Sequence, residues 1–394
     1  MKKVYKLSLG MAGLWLTGPV TAQDSAEATA ESRAAPIPNA NDYICTFKTN
    51  VSRGSVEQET AKAVGPELGQ VLHTYKWAVK GFAVRLPATP TTKSVTARLK
   101  LHNPNVSGCE HDGITRAALF FGRPGGGGGG STQAIPWGVT RVGGAGNAST
   151  STARAWIIDS GIDLTHPDLN VDTLYGKSFL TDTSLNDTYG HGTHVAGIIG
   201  AKNNTIGVVG VAAGVRVVPV RVLDGTGTGP DSGVIAAIDY VASKAVPGDV
   251  ANLSLIADAV STTMDTAVQN LGAKGVYVTI AAGNNSANAA NYSPGRASGG
   301  NVYTVSAFAS GDTWASFSNY GLVVGWGEPG VNIRSTYKGG TYATLSGTSM
   351  AAPHLAGILL LLGPPPPAPA QVTIHQNGSV AGDPDGNPDP IGVR

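Results

Sequence analysis

The fold and the candidate site are predicted first from the motif Gly347-Thr348-Ser349-Met350-Ala351-Ala352-Pro353-His354. A serine follows a Gly-Thr pair, and Pro353 falls where the first turn of a helix tolerates a missing N–H group. Ser349 is therefore predicted at a helix N-terminus, where the helix dipole stabilises developing negative charge. This position makes Ser349 a candidate nucleophile.

Two further motifs lie upstream. Asp159-Ser160-Gly161 ends the apolar run Ala155-Trp156-Ile157-Ile158, and His191-Gly192-Thr193-His194 begins another helical pattern. An alcohol becomes a good nucleophile when a base accepts its proton, and histidine is the commonest base. The chain therefore contains a carboxylate, a base and a nucleophile in the order Asp, His, Ser.

These three motifs resemble the subtilisin family of serine peptidases, and the resemblance covers residues 131–363. The family has the same Asp, His, Ser order along the chain. The resemblance implies that Ser349 attacks a peptide carbonyl and that His191 is the base. It further implies that Asp159 holds the His191 imidazole in the required tautomer and stabilises the imidazolium.

The resemblance also gives roles to two other polar residues. Asn284 follows the apolar run Val276–Ala281 and corresponds to the family's side-chain donor to the oxyanion. The alternative is a turn residue, because Asn-Asn-Ser favours turns. His194 is interpreted as structural, because the family uses the first histidine of the motif as base. A zinc site at His191 and His194 is not expected, since no third ligand motif follows.

Composition favours a folded chain of more than one domain. The 394 residues are 41% hydrophobic and 13% charged, which is enough apolar material for a sizeable core. The formal net charge is +1, and no run of Lys and Arg forms a phosphate-binding face. Nucleic acid is therefore not an expected partner.

The first 22 residues have the pattern of a secretory signal. Lys2 and Lys3 precede an apolar core from Leu7 to Leu16, and Val20-Thr21-Ala22 provides a small-residue cleavage site. We therefore expect a signal peptide at 1–22, an extended leader at 23–41 and a secreted protein. The later apolar run Leu355–Leu362 is too short to cross a bilayer. No membrane partner is expected.

Residues 42–116 are predicted to form a small ferredoxin-like α+β domain, because strand and helix patterns alternate there as βαββαβ. Gly81-Phe82-Ala83-Val84 and Glu110-His111-Asp112-Gly113 resemble the inhibitory propeptide of subtilisin-type enzymes. The resemblance implies an intramolecular inhibitor and folding template; the alternative is an accessory domain with no inhibitory role. Cys45 and Cys109, the two cysteines of the chain, fall on neighbouring strands and favour a disulfide in an exported protein.

The junction between the domains is predicted at 117–130. Gly125–Gly130 is a flexible six-glycine run, and it lies where the family places its processing site. Glycine offers no side chain to specificity pockets, so Phe120-Phe121 is a competing site. Beyond the peptidase domain, residues 364–394 are predicted to form a Pro-rich linker and a solvated polar tail. The alternative for Asp383–Asp389 is an acidic calcium-binding turn, which its sequence resembles.

Residues 131–363 are predicted to form an α/β domain. Apolar strand-like runs alternate with helical patterns, which indicates a parallel sheet with helices on both faces, the subtilisin-like arrangement. Asp159 closes one such run, and open α/β sheets place ligands near the carboxyl ends of their strands.

Substrate is expected to bind as an extended strand between two segments of this domain. By resemblance, most closely to the proteinase K branch, the substrate-binding residues are Gly227, Thr228, Gly229, Ser254, Leu255, Ile256, Ala281, Gly283 and Tyr292. The family usually has two glycines after the Ser-Leu pair, where this chain has Ile256 and Ala257. We therefore expect a narrowed or reshaped first specificity pocket.

A structural calcium ion is also implied by resemblance. Lys202-Asn203-Asn204-Thr205-Ile206-Gly207-Val208 resembles the strong calcium loop of bacterial subtilisins. The ligands would be the side chains of Gln133, Asp168 and Asn204 and the carbonyls of Lys202, Ile206 and Val208. Oxygen-only coordination suits Ca²⁺. The alternative is a plain polar loop.

Two hypotheses follow for the function. The first is a secreted, monomeric serine endopeptidase that acts on proteins or peptides and is made as a self-processed zymogen. The second is a non-catalytic relative that binds extended peptides, which Ile256 and the polyglycine junction favour. The complete Asp, His, Ser set favours the enzyme.

Overall fold

The computed structural model describes residues 38–87, 91–120, 132–366 and 372–394, all within one compact unit, Ala34–Arg394. The predicted signal peptide, most of the predicted leader and the six-glycine run lie outside the described residues. None of the helices in the described ranges is long and apolar enough to cross a membrane.

The N-terminal domain is a four-stranded antiparallel sheet with two helices. Its elements are β1 (Asp42–Phe47), α1 (Val56–Leu68), β2 (Gln70–Tyr75), β3 (Gly81–Arg85), α2 (Thr92–His102) and β4 (Val106–His111). The strand order β2-β3-β1-β4 is that of a ferredoxin-like sheet. Phe82, Val95 and Leu99 lie in its apolar core, which is separate from the cores of the larger domain.

One predicted strand of this domain is displaced. The β-branched and aromatic residues of Tyr75–Val79 predict a strand from the sequence, whereas β2 spans Gln70–Tyr75. The backbone N–H groups of Lys76, Trp77 and Ala78 instead donate to the Asp239 carboxylate at 2.9, 2.5 and 2.7 Å. An acceptor supplied by the larger domain therefore turns the chain where local sequence favoured a strand.

The predicted disulfide is present. Cys45 of β1 lies directly opposite Cys109 of β4 in the antiparallel register, and the two sulfurs are bonded.

The larger domain follows a short connecting strand, β5 (Ile114–Ala117). Its helices are α3 (Trp137–Arg141), α4 (His191–Gly200), α5 (Asp231–Lys244), α6 (Thr262–Gly272) and α7 (Thr348–Leu362). Its strands are β6 (Gly146–Asn147), β7 (Arg154–Asp159), β8 (Asn170–Val171), β9 (Lys177–Ser178), β10 (Ala212–Ala213), β11 (Arg216–Arg221), β12 (Thr228–Pro230), β13 (Val250–Leu253), β14 (Leu255–Ala257), β15 (Tyr277–Ala281), β16 (Val302–Ala309), β17 (Thr313–Trp314), β18 (Val324–Pro329), β19 (Ile333–Tyr337), β20 (Thr341–Leu345), β21 (His375–Ser379) and β22 (Pro390–Val393).

The central sheet is mostly parallel, as predicted. Its main path runs β21-β22-β18-β16-β15-β13-β7-β11-β8, and every pairing from β22 to β8 along it is parallel. Side chains alternate along β7: Ile157 joins the apolar cluster that contains α4 and α7, whereas Trp156 and Ile158 join the cluster that contains α5 and α6. Helices therefore cover both faces of the sheet.

The C-terminal segment differs from the solvated polar tail that we expected. β21 and β22 form a hairpin, and Ile391 of β22 pairs with Gly327 of β18 at the sheet edge. Val380 and Ile391 pack against Phe308 and are fully buried. The apolar residues of this short segment are few, but they fill a face that the sheet leaves uncovered.

Candidate active site

The predicted Asp-His pair forms at the carboxyl end of the sheet. Asp159 is the last residue of β7, and His191 is the first residue of α4, so strand end and helix start bring the two side chains together. His191 Nδ1 lies 2.8 and 2.9 Å from the two oxygens of Asp159. Both residues are buried. This geometry fixes the tautomer in which Nε2 accepts a proton.

A second carboxylate, Asp187, holds this region together. Its Oδ1 accepts from Ser160 Oγ at 2.9 Å and from Gly190 N at 2.7 Å, and its Oδ2 accepts from Thr193 N and Oγ1. Burial raises the pKa of Asp187. Sequence analysis missed Asp187, although its position four residues before His191 is a signal for a carboxylate near a helix N-terminus.

His194 is not part of this pair. It is fully buried on α4, and its Nε2 lies 3.1 Å from the carbonyl oxygens of both Ile333 and Ala343. Burial lowers the pKa of His194 to about 3, so the imidazole is neutral near pH 7. Its contacts join α4 to the β19–β20 hairpin, which fits the structural interpretation.

Ser349 lies in the first turn of α7 and faces a carbonyl of its own chain. The Ser349 hydroxyl oxygen is 2.5 Å from the Ala118 carbonyl oxygen and 3.0 Å from the Ser254 carbonyl oxygen. Among the described residues, no group hydrogen-bonds to His191 Nε2. Catalytic hydrogen bonds often form only in the reacting complex.

The Ala118 carbonyl oxygen also receives the two donors that the resemblance implies for an oxyanion. Asn284 Nδ2 donates to it at 2.6 Å, and Ser349 N donates at 3.3 Å. The Asn284 amide is oriented because its Oδ1 accepts from Thr348 N and Thr348 Oγ1, both at 2.9 Å. Donors held in this way need no rearrangement as charge develops.

The strand that leads to Ala118 fills the predicted substrate cleft. β5 pairs antiparallel with β12 on one side and β14 on the other, in a three-stranded sheet. Ala117 N donates to Gly227 O at 3.0 Å, and Ala118 N donates to Ser254 O at 3.1 Å. Six of the predicted substrate-binding residues therefore contact or pair with this strand: Gly227, Thr228, Gly229, Ser254, Leu255 and Ile256.

Ile256 stands beside Gly283, another predicted substrate-binding residue. A Cβ added to Gly283 would lie 2.6 Å from Ile256 Cδ1, so the Ile256 side chain occupies space next to this glycine. Ala281 is buried at the end of β15. Tyr292 follows a short 3-10 helix, and in the described part of the chain we find no hydrogen bond from it to β12, β14 or β5.

Four of the predicted calcium-ligand oxygens surround the Gln133 side chain. Its Nε2 lies 2.7 Å from Lys202 O, 3.1 Å from Val208 O, 3.3 Å from Asn204 Oδ1 and 3.5 Å from Ile206 O. A single polar atom is thus surrounded by four oxygens, three of them backbone carbonyls. This donor set is one that a hard cation prefers.

Asp168 contacts two residues of the same loop. One of its oxygens accepts from Asn204 Nδ2 at 2.8 Å, and the other accepts from Val208 N at 3.1 Å. Burial raises the pKa of Asp168. No group of three or more His, Cys, Asp or Glu suited to a metal occurs among the described residues.

Residues 156–364 match the model of the subtilase family, which is more than half of the chain. The chain belongs to the subtilase family. This membership confirms the resemblance on which we predicted a subtilisin-like serine peptidase. The crystal structure of a cold adapted subtilisin-like serine proteinase is similar to this subtilase with a TM-score of 0.52 and 38% identity, over 57% of this chain and 83% of that one.

Named relatives include bacterial and fungal proteases. M-protease of Shouchella clausii is 40% identical over 250 residues, which cover 62% of this chain and 64% of the relative. The subtilisin-like serine protease AsES of Sarocladium strictum is 37% identical over 81% of this chain and 79% of its own. The cuticle-degrading protease of Metarhizium anisopliae is 34% identical over 86% of both chains.

Proposed function

We propose that this subtilase is a secreted serine endopeptidase, made as a zymogen that cleaves its own Ala118–Leu119 bond. In this proposal Ser349 attacks the Ala118 carbonyl carbon, and His191 takes the hydroxyl proton and gives it to the Leu119 nitrogen as the peptide bond breaks; water, activated by His191, then hydrolyses the ester between Ala118 and Ser349. Asp159 orients His191. Asn284 and the Ser349 N–H stabilise the oxyanion.

One observation carries the proposal. The Ala118 carbonyl oxygen accepts hydrogen bonds from Asn284 Nδ2 and Ser349 N, and the Ser349 hydroxyl oxygen lies 2.5 Å from the same atom. A strand paired on both sides leads up to that carbonyl. The Ala118–Leu119 bond lies before the six-glycine run. The sequence led us to expect processing at that run. The proposal therefore moves the cleaved bond to Ala118–Leu119 and takes residues 42–118 as the propeptide.

Contacts between the two domains support an inhibitory role for the N-terminal domain. Glu110 accepts hydrogen bonds from Ser261 Oγ and Thr262 Oγ1 at the start of α6, at 2.6 and 2.9 Å. Asp112 accepts from Ser232 N at the start of α5 at 2.9 Å. These carboxyl groups accept hydrogen bonds from donors that the starts of the two helices leave unpaired. An alignment that covers 86% of this chain must also include residues of the N-terminal region.

We also propose a structural Ca²⁺ at Gln133, Asp168 and Asn204 and the carbonyls of Lys202, Ile206 and Val208. The residues fit, because four oxygens already converge on one amide atom of Gln133. Bound there, the ion would cross-link the loop after α4 to the segment before α3, with no step in catalysis. We expect calcium to raise the thermal unfolding midpoint of the wild type and to have a smaller effect on Asp168→Ala.

The test is expression of residues 23–394 beside Ser349→Ala, with the intact mass followed over time. We expect only the wild type to be cut, with a fragment that ends at Ala118. A Ser349→Ala protein cut at the same bond and rate would contradict the mechanism. A wild-type cut only within Gly125–Gly130 would retain the enzyme and reject the proposed bond.

The second candidate, a non-catalytic peptide-binding protein, is favoured by one observation, the Ile256 side chain beside Gly283. Phenylmethylsulfonyl fluoride separates the two candidates, since it modifies an activated serine. An adduct on Ser349 of the wild type supports the enzyme. No adduct and no cleavage would support the binding protein.

A further inference from the structure

The side chain of Thr115 makes a buried contact with a carboxylate of the peptidase domain. Thr115 is fully buried, and its Oγ1 donates to Asp231 Oδ1 at 2.6 Å. Asp231 is the first residue of α5, and 2% of its surface is exposed. The Thr115 hydroxyl therefore provides a hydrogen-bond donor to a carboxylate that is almost inaccessible to solvent.

The register of β5 fixes where this contact lies relative to the proposed scissile bond. Thr115 pairs with Gly229 of β12 and with Ala257 of β14. It is three residues before Ala118, whose carbonyl oxygen meets the oxyanion donors. Because pairing on both sides sets the strand register, the fourth residue before the cleaved bond in any substrate bound in this way would meet Asp231.

The surroundings of Asp231 offer few other donors. Among the described side chains, Thr115 is the one that donates a hydrogen bond to this carboxylate. Its Oδ2 lies against Gly113, where an added Cβ would be 2.5 Å away. The charged groups that act on it, Asp112, Glu110 and Asp258, are all acidic, and burial raises the pKa of Asp231 to about 7.

We propose that Asp231 determines specificity, by selecting substrates with a hydroxyl-bearing side chain at the fourth residue before the cleaved bond. The proposal rests on the endopeptidase function proposed above. A side chain without a hydroxyl would cover the Asp231 carboxylate and leave it without a donor, and a buried polar group left unpaired is costly. Sites built to hydrogen-bond a substrate hydroxyl reject the analogue that lacks it.

Threonine and valine provide a matched pair of nearly equal shape. The two peptide substrates would have the sequence of residues 114–120, one native and one with valine in place of Thr115, each with a fluorophore and a quencher at its ends. The enzyme is the full chain after it has processed itself. We expect kcat/KM to be at least about tenfold higher for the threonine peptide.

Substitution of Asp231 then assigns the preference to this residue. We expect Asp231→Leu to bring the threonine-to-valine ratio of kcat/KM close to one or below it, and Asp231→Asn to retain part of the preference, because the amide still offers an acceptor oxygen. Asp239→Asn is the matched control, since Asp239 is another carboxylate of α5 that contacts residues 76–78. We expect the control to keep the wild-type ratio.

The wild-type ratio tests the proposal even if the Asp231 variants fail to fold. Equal kcat/KM for the two peptides, in a wild type that cleaves both, would overturn the specificity proposal and leave the proposed endopeptidase function intact. A ratio that Asp231→Leu leaves unchanged would also overturn it. If the wild type cleaves neither these peptides nor casein, the endopeptidase function itself fails.

Discussion

The N-terminal domain and the C-terminal hairpin both cover the peptidase domain, but they are attached in different ways. Among the described residues, the four strands of the N-terminal domain pair only with one another; its apolar residues Ile44 and Val79 join the cluster of α5 and α6, and Glu110 and Asp112 accept hydrogen bonds at the starts of these helices. The hairpin meets it through strand pairing with β18 and through Ile391 and Val380, which pack on Phe308.

This difference predicts which of the two contacts opens after the proposed cleavage. The N-terminal domain can separate with its four-stranded sheet intact, whereas loss of the hairpin removes a strand that is paired with the central sheet. The hairpin also covers Glu328, which lies beside Gly392 of β22 and whose pKa burial raises well above its usual value. Removal of the hairpin would expose this site and the apolar cluster together.

Loss of the proposed oxyanion donor should leave the N-terminal domain covalently linked to the peptidase domain, as the hairpin is, because the bond between the two domains would not be cleaved. We expect Asn284→Ala to slow self-cleavage about 100- to 1000-fold, the loss of about 2.7–4 kcal/mol measured for the corresponding donor in a subtilisin. Intact mass over time gives the rate. Asn285→Ala, an exposed neighbour, is the control and should cleave normally. Equal rates in both variants would remove Asn284 from the mechanism.

Truncation of the hairpin core should destabilise the cleaved enzyme. We expect Ile391→Ala to lower its free energy of unfolding by about 2–4 kcal/mol, because a fully buried side chain leaves a cavity. Denaturant unfolding measures this loss. Val95→Ala, in the core of the N-terminal domain, is the matched control and should leave the cleaved, separated enzyme unchanged. A loss below about 0.5 kcal/mol for Ile391→Ala would mean that the hairpin is dispensable.

Removal of the Asp239 carboxylate should loosen the N-terminal domain. Asp239→Ala leaves three backbone N–H groups without their acceptor, and we expect docking to weaken by about 1–3 kcal/mol. The measurement is the fraction of the cleaved fragment that remains bound in gel filtration. Asp258→Ala is the control, because its exposed ion pair with Arg116 is worth less than about 1 kcal/mol. Equal weakening by both would contradict the role of Asp239.

A rise in pH should release the cleaved fragment. Burial in the docked state raises the pKa of Asp112 from 3.8 to about 6. The docked carboxyl therefore binds a proton more readily than the free one, so docking is strongest below pH 3.8 and weakens as pH rises to about 6. We expect the dissociation constant to increase about tenfold or more between pH 4 and 7. Asp112→Asn, which does not titrate, should flatten this dependence; an unchanged slope would assign it to other groups.

The sequence predicted those features of the fold that depend on residue patterns within one strand or helix. Apolar runs that end in Asp159 and helical patterns that begin at His191 and Ser349 predicted the parallel sheet and the ends at which these residues lie. Strand and helix patterns likewise predicted the order of the ferredoxin-like elements and the opposition of Cys45 and Cys109.

The sequence by itself determined the family, the order of the elements and the residue types that we propose for the chemistry, because short-range periodicity and motif spacing are written along the chain. Only the tertiary structure decided which peptide carbonyl meets Asn284, that Asp231 receives Thr115, and that residues 372–394 close the sheet edge. Each of these contacts joins segments distant in sequence. No local pattern encodes such a contact, since it exists only after the two surfaces have folded and docked.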